Sequence, residues 1–162
     1  MTILTGIVYP LIVYLFGILV FPDKASGRLL YRDNKVIGSA LIAQKFESDR
    51  YFWSRPSAVD YNALASGGSN LSQTSKKLKN LVSKRKEKYN AEVPVEMLFA
   101  SGSGLDPHIS VAAANYQVER IEKNRNLKRE KIVELIKKNT HGIFDATYVN
   151  VLQLNIALDE LK

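Results

Sequence analysis

The sequence contains no cysteine and only two histidines, His108 and His141. Without cysteine the chain can form neither a disulfide framework nor a metal site with thiolate ligands. A metal site built from other residues is not expected either, because Asp106 and His108 lack a third and a fourth ligand of suitable type. The missing cysteines say nothing about the compartment in which the protein lies.

Three sequence motifs of common enzyme classes are also missing. The chain has no G-x-x-x-x-G-K-[ST] phosphate loop, no G-x-G-x-x-G dinucleotide motif and no G-x-S-x-G nucleophile elbow. These motifs place glycines where a phosphate or a nucleophile must approach the backbone closely. The sequence therefore gives no direct signature of nucleotide hydrolysis or of a hydrolase.

Charged residues are absent between Met1 and Pro22. A helix of about 19 apolar residues is roughly 28 Å long, close to the ~30 Å hydrocarbon core of a bilayer. A cleaved signal peptide is an alternative, but no basic region precedes the run and the run exceeds the usual ~7–15 residues. A buried core helix is a second alternative. We expect residues 1–22 to form a transmembrane anchor and residues 23–162 to form one soluble domain.

The residues alone do not show on which side of the membrane the domain lies. No basic side chain precedes the apolar run, and four basic residues follow it: Lys24, Arg28, Arg32 and Lys35. The positive-inside rule would place the domain in the cytoplasm, although long domains are translocated largely regardless of charge.

Composition places the chain among ordinary globular proteins. It has 162 residues, of which 46% are hydrophobic and 24% are charged, so a disordered chain is not expected. The net charge of +7 favours anionic partners such as lipid headgroups, an acidic protein face or nucleic acid.

Residue patterns predict an α+β domain after the anchor. Short apolar or aromatic runs bounded by turn residues predict strands at 29–31 and 36–42, at 51–53 and at 93–99. The first two are expected to form a hairpin through Asp33 and Asn34. Residues 59–74 are expected to form a long loop, which in a compact domain is often functional.

Apolar residues at helical spacing predict helices at four places. The helices are expected to begin after Thr74 or Ser75, after Ser110, near Leu127 and after Asn150. Asn150 and Gln153 resemble a capping box, which favours helix at the C-terminus, although alternating apolar residues leave a strand open for 149–161.

The first of these helices has an apolar stripe and a basic face. The stripe comprises Leu78, Leu81, Val82, the stem of Arg85 and Tyr89, and the basic face comprises Lys76, Lys77, Lys79, Lys84, Lys86 and Lys88. Because Tyr89 alone could stack on a base, a solvated helix face is preferred to a nucleic-acid site.

The segment from Ser101 to His108 most resembles a binding site. Gly102 and Gly104 could free backbone N–H groups for an anion. A tight turn in which glycine supplies positive φ is the preferred interpretation. Ser103, Asp106 and His108 also suggest a hydrolase, but triad residues normally converge from distant segments.

Six segments of the chain occur in the order in which they appear in a known family. They are Gly38-Ser39-Ala40-Leu41-Ile42, Arg55-Pro56-Ser57-Ala58, Tyr61-Asn62, Ser66-Gly67-Gly68-Ser69-Asn70-Leu71, Ala100 to Ser110, and Val149-Asn150-Val151-Leu152 with Leu154-Asn155. Over nearly its whole length the chain resembles the KdpC family, the accessory subunit of the bacterial Kdp high-affinity potassium-transporting P-type ATPase.

The resemblance implies a non-catalytic accessory subunit with one transmembrane helix in the bacterial inner membrane and a small mixed α/β domain outside the cytoplasm. The family usually has further residues, some basic, before this helix. The basic residues after the helix are therefore not expected to indicate the side of the membrane on which the domain lies. The implied partners are the lipid bilayer, the potassium-translocating subunit and the ATP-hydrolysing subunit, with no nucleic acid. ATP and potassium are handled by the complex, and no cofactor is expected in this chain.

The resemblance also implies roles for individual residues. The family is described as a catalytic chaperone that raises the ATP affinity of the hydrolysing subunit, and Gln117 matches the glutamine proposed to contact nucleotide. A structural glutamine is the alternative. The expected docking and architectural residues are Arg55, Pro56, Ser57, Tyr61, Asn62, Gly67, Gly68, Ser69, Asn70, Ser101, Gly102, Ser103, Gly104 and Asp106. A membrane-tethered hydrolase or an anion-binding module that uses Ser103, Asp106 and His108 remains the competing hypothesis.

Overall fold

The computed structural model describes residues 1–89, 92–143 and 146–161. These residues divide into two units, Met1–Leu41 and Ile42–Lys162. The first unit contains the apolar run and a β-hairpin, and the functional boundary expected at residue 22 stays a prediction.

The apolar N-terminal run is helical but changes helix type. A π-helix at Leu4–Val8 is followed by α1 (Tyr9–Val20) and the short α2 (Pro22–Ala25). Pro10 has no N–H group and cannot donate to the preceding turn, which fits a change of helix type at this point. Among the described residues, no helix combines the length and the apolar character needed to cross a membrane. The transmembrane helix expected for residues 1–22 is therefore not confirmed.

The predicted hairpin is confirmed. Strands β1 (Leu29–Arg32) and β2 (Lys35–Ser39) pair antiparallel, with Arg32 opposite Lys35. Asp33 and Asn34 form the two-residue turn with φ of 49° and 59°, the left-handed conformation that a right-twisted hairpin requires. The second strand ends at Ser39 rather than at residue 42.

The second unit contains a three-stranded antiparallel sheet that the sequence analysis missed. Its strands are β3 (His108–Ser110), β4 (Thr140–Ile143) and β5 (Ala146–Asn150), in the order β3-β5-β4. Ile109 and Val149 are register partners, and both side chains are buried. All three strands are short, and β3 and β5 each lead directly into a helix. Helical periodicity in the flanking residues therefore masks these strands in the sequence.

Five helices of the second unit follow the predicted positions. They are α3 (Lys76–Lys86), α4 (Val111–Tyr116), α5 (Val118–Arg125), α6 (Arg129–Lys138) and α7 (Val151–Glu160). The helix expected after Ser110 is divided into α4 and α5 at Gln117. The Ser110 hydroxyl accepts a hydrogen bond from the Ala113 N–H at 3.0 Å, and the Asn150 side-chain Oδ1 accepts one from the Gln153 N–H at 3.1 Å. Both predicted caps are therefore confirmed.

Two predicted strands are wrong. Residues 93–99 instead contain a 3₁₀ turn at Val95–Met97, immediately after Pro94, which has no N–H to contribute to a ladder. Residues 51–53 form no strand because side chains bond their backbone in place of a partner strand. The long loop at 59–74 is confirmed apart from a 3₁₀ turn at Ala63–Ala65.

The core of the second unit lies between the sheet and the helices. Its largest buried side chains come from β3, α5, α6, α7 and two segments outside them: Phe52, Met97, Ile109, Ile121, Ile132, Ile136, Leu154 and Leu158. The apolar stripes predicted for α5 and α6 thus face the core.

Candidate functional site

Two loops of the second unit, residues 55–70 and 101–107, bond directly to each other, and we name them the paired loops. The Ser101 N–H donates to the Pro56 carbonyl at 3.1 Å, and the Gly67 N–H donates to the Ser103 carbonyl at 2.8 Å. The Ser66 hydroxyl donates to the same Ser103 carbonyl at 3.0 Å. Residues that are distant in sequence are thus joined by direct hydrogen bonds.

Gly104 is the glycine on which the approach of the paired loops depends. Its φ is +70°, and a Cβ there would lie 2.7 Å from the Gly67 carbonyl oxygen and 2.7 Å from a Val59 methyl group. At Gly68 a Cβ would lie 2.9 Å from the Gly102 carbonyl oxygen. Gly102 itself has open space and no left-handed backbone. Of the two glycines expected to take positive φ, only Gly104 does so.

An ion pair links the two loops at their base. The Arg55 guanidinium lies 3.0 Å from one Asp106 carboxylate oxygen, and the other oxygen accepts from the His108 N–H at 3.0 Å. The Tyr61 hydroxyl donates to the Arg55 carbonyl at 2.7 Å, and burial raises the pKa of Tyr61 to about 12. Tyr61 is therefore a neutral hydrogen-bond donor at physiological pH.

The remaining predicted loop residues are polar turn residues. The Ser57 hydroxyl accepts from the Tyr61 N–H at 2.9 Å, and the Asn62 side chain accepts from the Leu64 N–H at 3.0 Å. Ser69 and Asn70 are exposed, and Asn70 has a φ of 50°. These contacts set the shape of the loops.

The three residues of the hydrolase hypothesis are only partly brought together. Nδ1 of His108 lies 3.6 Å from Asp106 Oδ1. The Ser103 Oγ accepts from the Leu105 N–H at 3.1 Å, and within the described residues no hydrogen bond joins it to His108. Burial lowers the pKa of His108 while Asp106 opposes that shift. In the described parts of the chain no cluster of three or more His, Cys, Asp or Glu residues could hold a metal ion.

Gln117 is buried at the junction of α4 and α5, with 2% of its surface exposed. Its Oε1 accepts from the Trp53 N–H at 2.7 Å and from Arg120 Nη2 at 2.8 Å, and its Nε2 donates to the Trp53 carbonyl at 3.2 Å. Asn155 does the same for Phe52, accepting from the N–H at 2.8 Å and donating to the carbonyl at 3.0 Å. We call these two side chains the amide pair.

Gln117 also lines a surface cavity of about 390 Å³ that sequence reasoning missed. The Arg120 guanidinium lies 3.7 Å from the centre of the Trp53 ring, and the Tyr89 ring contacts both Trp53 and Tyr116 edge to face. Burial lowers the pKa of Arg120 to about 10, so the guanidinium remains charged at neutral pH. Aromatic rings beside a cation are suited to a planar or anionic ligand. The aromatic triplet at 51–53 was the signal in the sequence, but its partners lie 36 and more positions later.

Comparison with known proteins identifies the family. The family model for KdpC, described as K⁺-transporting ATPase, c chain, matches residues 1–160. The chain belongs to the KdpC family. A KdpC subunit of a potassium-transporting ATPase from Serratia proteamaculans is 45% identical over 176 residues, which cover 100% of this chain and 93% of the relative.

Further KdpC relatives agree. The KdpC subunit of Methylococcus capsulatus is 45% identical over 175 residues, covering 99% of this chain and 92% of the relative. That of Burkholderia orbicola is 44% identical over 173 residues, covering 98% and 90% respectively. The resemblance found in the sequence is confirmed, and membership of the KdpC family supports an accessory role in potassium uptake.

Proposed function

We propose that this chain is a non-catalytic accessory subunit of an ATP-driven potassium pump and acts by docking onto the pump's larger subunits. Its partners are the potassium-translocating subunit and the ATP-hydrolysing subunit, and those subunits handle potassium and ATP. The observation that carries the proposal is the match to the KdpC family over residues 1–160.

The paired loops are the proposed docking surface. Their polar groups are largely used in bonds between the loops, which supports a role for shape rather than for chemistry. Leu64 lies in the 3₁₀ turn of the first loop with 98% of its surface exposed. Burial of this leucine in an apolar recess of a partner protein would remove its side chain from water, which favours association.

Variants of the paired loops test the proposal. Gly104→Val forces a β-branched side chain into a left-handed backbone and into the Gly67 carbonyl, so the docking surface should deform. Gly102→Val is the matched control, since its Cβ meets open space. We expect Gly104→Val to weaken co-purification with the larger pump subunits and growth on low potassium, whereas Gly102→Val should retain both.

The hydrolase hypothesis makes the opposite prediction. The contact of His108 with Asp106 is the observation in its favour. Ser103→Ala and His108→Ala remove any nucleophile or base, so under the hydrolase hypothesis both variants should assemble yet lose activity by orders of magnitude. Under the docking proposal both should assemble and support growth on low potassium. Fully assembled but inactive alanine variants would overturn the docking proposal.

The exposed apolar run at the N-terminus is proposed to hold the chain at the bacterial inner membrane, with the second unit outside the cytoplasm. The large apolar side chains of α1 are exposed to the surroundings, which supports contact with lipid. A cysteine placed at Lys88 would be unique in the chain. In intact cells it should react with a membrane-impermeant thiol reagent, and reaction only after lysis would contradict the proposed side.

Gln117 is proposed to support the pump's ATP affinity through the cavity that it lines. Its amide already has bonding partners within the fold, so it is suited to shaping the cavity for a pump subunit rather than to contacting a nucleotide directly. Gln117→Ala should weaken ATP binding by the assembled pump more than Asn155→Ala does. Asn155 is the control because it holds the neighbouring residue without lining the cavity. Equal effects of the two variants would assign both to packing.

A further inference from the structure

The positive charge of this chain is concentrated in one helix. Residues 76–88 contain seven lysines and arginines and a single acidic residue, Glu87, and so account for six of the seven net positive charges. The rest of the chain is close to neutral. Such a concentration of charge creates a positive electrostatic potential at this segment rather than evenly over the whole molecule.

The six lysines of this segment face solvent, whereas its arginine faces the protein. Lys76, Lys77, Lys79, Lys84, Lys86 and Lys88 are all exposed. Within the described residues none of them has a carboxylate at ion-pair distance, while Lys45, Lys123 and Lys138 elsewhere in the second unit each have at least one. Arg85 donates to the Leu98 carbonyl at 2.7 Å. The lysines are therefore available for a partner outside this chain.

The lysines also cover a broad arc. At about 100° per residue, the five lysines within α3 span about 180° of the helix circumference, opposite the stripe of Leu78, Leu81 and Val82. Those three side chains are half-buried against the domain. An arc this wide is exposed as a convex surface, unlike an enclosed site for a small anion. We name it the lysine face.

We propose that the lysine face binds the anionic headgroups of a lipid bilayer. Lysine is a compact, hydrated point charge on a flexible stem, and it suits mobile phosphates better than the fixed carboxylates of a protein partner, which favour the arginine fork. Lysine is also depleted in protein–protein interfaces. The inference builds on the proposed membrane attachment, because attachment keeps the chain at a high effective concentration of headgroups.

The full chain in lipid vesicles tests the inference. A spin label is attached to a single cysteine at Lys84→Cys, and its relaxation by a nickel chelate on the lipid headgroup is measured. Lys137→Cys on α6 is the matched control, since it also removes one exposed lysine. We expect the relaxation at residue 84 to rise about threefold when about 30% phosphatidylglycerol is added to phosphatidylcholine vesicles. The relaxation at residue 137 should not change.

Charge removal and salt should abolish the effect. The relaxation of the label at residue 84 should return to its value in neutral vesicles in a triple variant or in about 0.5 M salt. The triple variant combines Lys76→Gln, Lys77→Gln and Lys79→Gln. Flotation of the chain with pure phosphatidylcholine vesicles reports the membrane attachment separately. The chain can float while the relaxation at residue 84 is equal in both vesicle types, or rises no more than the relaxation at residue 137. Either result would show that the lysine face does not bind anionic lipid. Burial of the label only on addition of the other pump subunits would assign the face to a protein and also overturn the inference.

Discussion

At the scale of single residues, the amide pair shows how side chains can replace a neighbouring strand. Gln117 and Asn155 each bond both backbone polar groups of one residue, Trp53 and Phe52 respectively. A buried peptide group without such partners would be costly. The aromatic side chain of Phe52 can therefore be fully buried although its segment belongs to no sheet.

Asn155→Ala should destabilise the fold by about 1–3 kcal/mol, because it leaves the buried N–H and carbonyl of Phe52 without partners. Urea unfolding of the full chain in mild detergent, followed by circular dichroism, measures the change. Asn80→Ala removes an exposed amide from α3 and should change the free energy of unfolding by less than about 0.5 kcal/mol. Equal effects of the two variants would refute this role for Asn155.

His108 should make the fold less stable in mild acid. Burial lowers its pKa below the ordinary value of 6.5, although Asp106 opposes the shift. The unfolded chain then takes up the proton at a higher pH than the folded chain, so stability is lost as pH falls below about 6.5. The urea concentration at the unfolding midpoint should decrease as the pH is lowered from about 7.5 to about 5.5, and His108→Gln should make this decrease smaller.

At this scale the sequence identified the residues but could not identify their contacts. Gln117 was known only through the family resemblance, and nothing in local spacing relates it to Trp53, 64 positions earlier. The positive φ of Gly104 was predictable from its place in a turn. The same expectation failed at Gly102, because the turn requires only one left-handed residue.

At the scale of elements, Ser110 connects a strand, a helix and a turn. It ends β3 and caps α4, and both its hydroxyl and its N–H donate to the Glu96 carboxylate. Glu96 lies in the 3₁₀ turn at Val95–Met97. The start of α4 is thereby fixed to the segment that was wrongly predicted to be a strand.

Ser110→Ala should destabilise the protein by about 0.5–2 kcal/mol through loss of the cap. Ser75→Ala is its control, because Ser75 also precedes a helix but its side chain makes no cap hydrogen bond there. The difference in thermal unfolding midpoint between these two variants reports the loss of the cap together with the hydroxyl's bond to Glu96. A Ser75→Ala variant as destabilised as Ser110→Ala would contradict the assignment.

Helices were more predictable than strands because their signal repeats over several turns. The stripe that begins in α4 continues into α5 at Val118 and Ile121, and α6 has its own, whereas β3 offers three residues. A strand of that length cannot display alternation, and its pairing with β5 joins residues about 40 positions apart. Long-range pairing of short strands is thus the part of the fold that the sequence did not reveal.

At the scale of the whole molecule, the described core belongs to the second unit alone. The buried cluster extends from Phe52 to Leu158 and includes no residue of the N-terminal helices. The apolar run and the concentrated charge were both evident in the sequence, whereas the expected single membrane-spanning helix was not confirmed.

A chain that begins at Ile42 should therefore fold on its own. We expect one cooperative urea transition, reported by the fluorescence of Trp53, the sole tryptophan in the sequence. The midpoint should match that of the second unit in the full chain. A gradual, non-cooperative transition would show that the N-terminal 41 residues contribute to the core.

The amide pair has a further consequence for the exchange of backbone hydrogens with deuterated solvent. The N–H of Phe52 is bonded to Asn155 on α7, and the N–H of Trp53 is bonded to Gln117 between α4 and α5. Neighbouring amides in a loop would ordinarily exchange quickly and together. Here each is released only when a different helix separates from residues 52–53. Deuterium uptake at two adjacent positions thus reports separately on the opening of α7 and of the junction between α4 and α5.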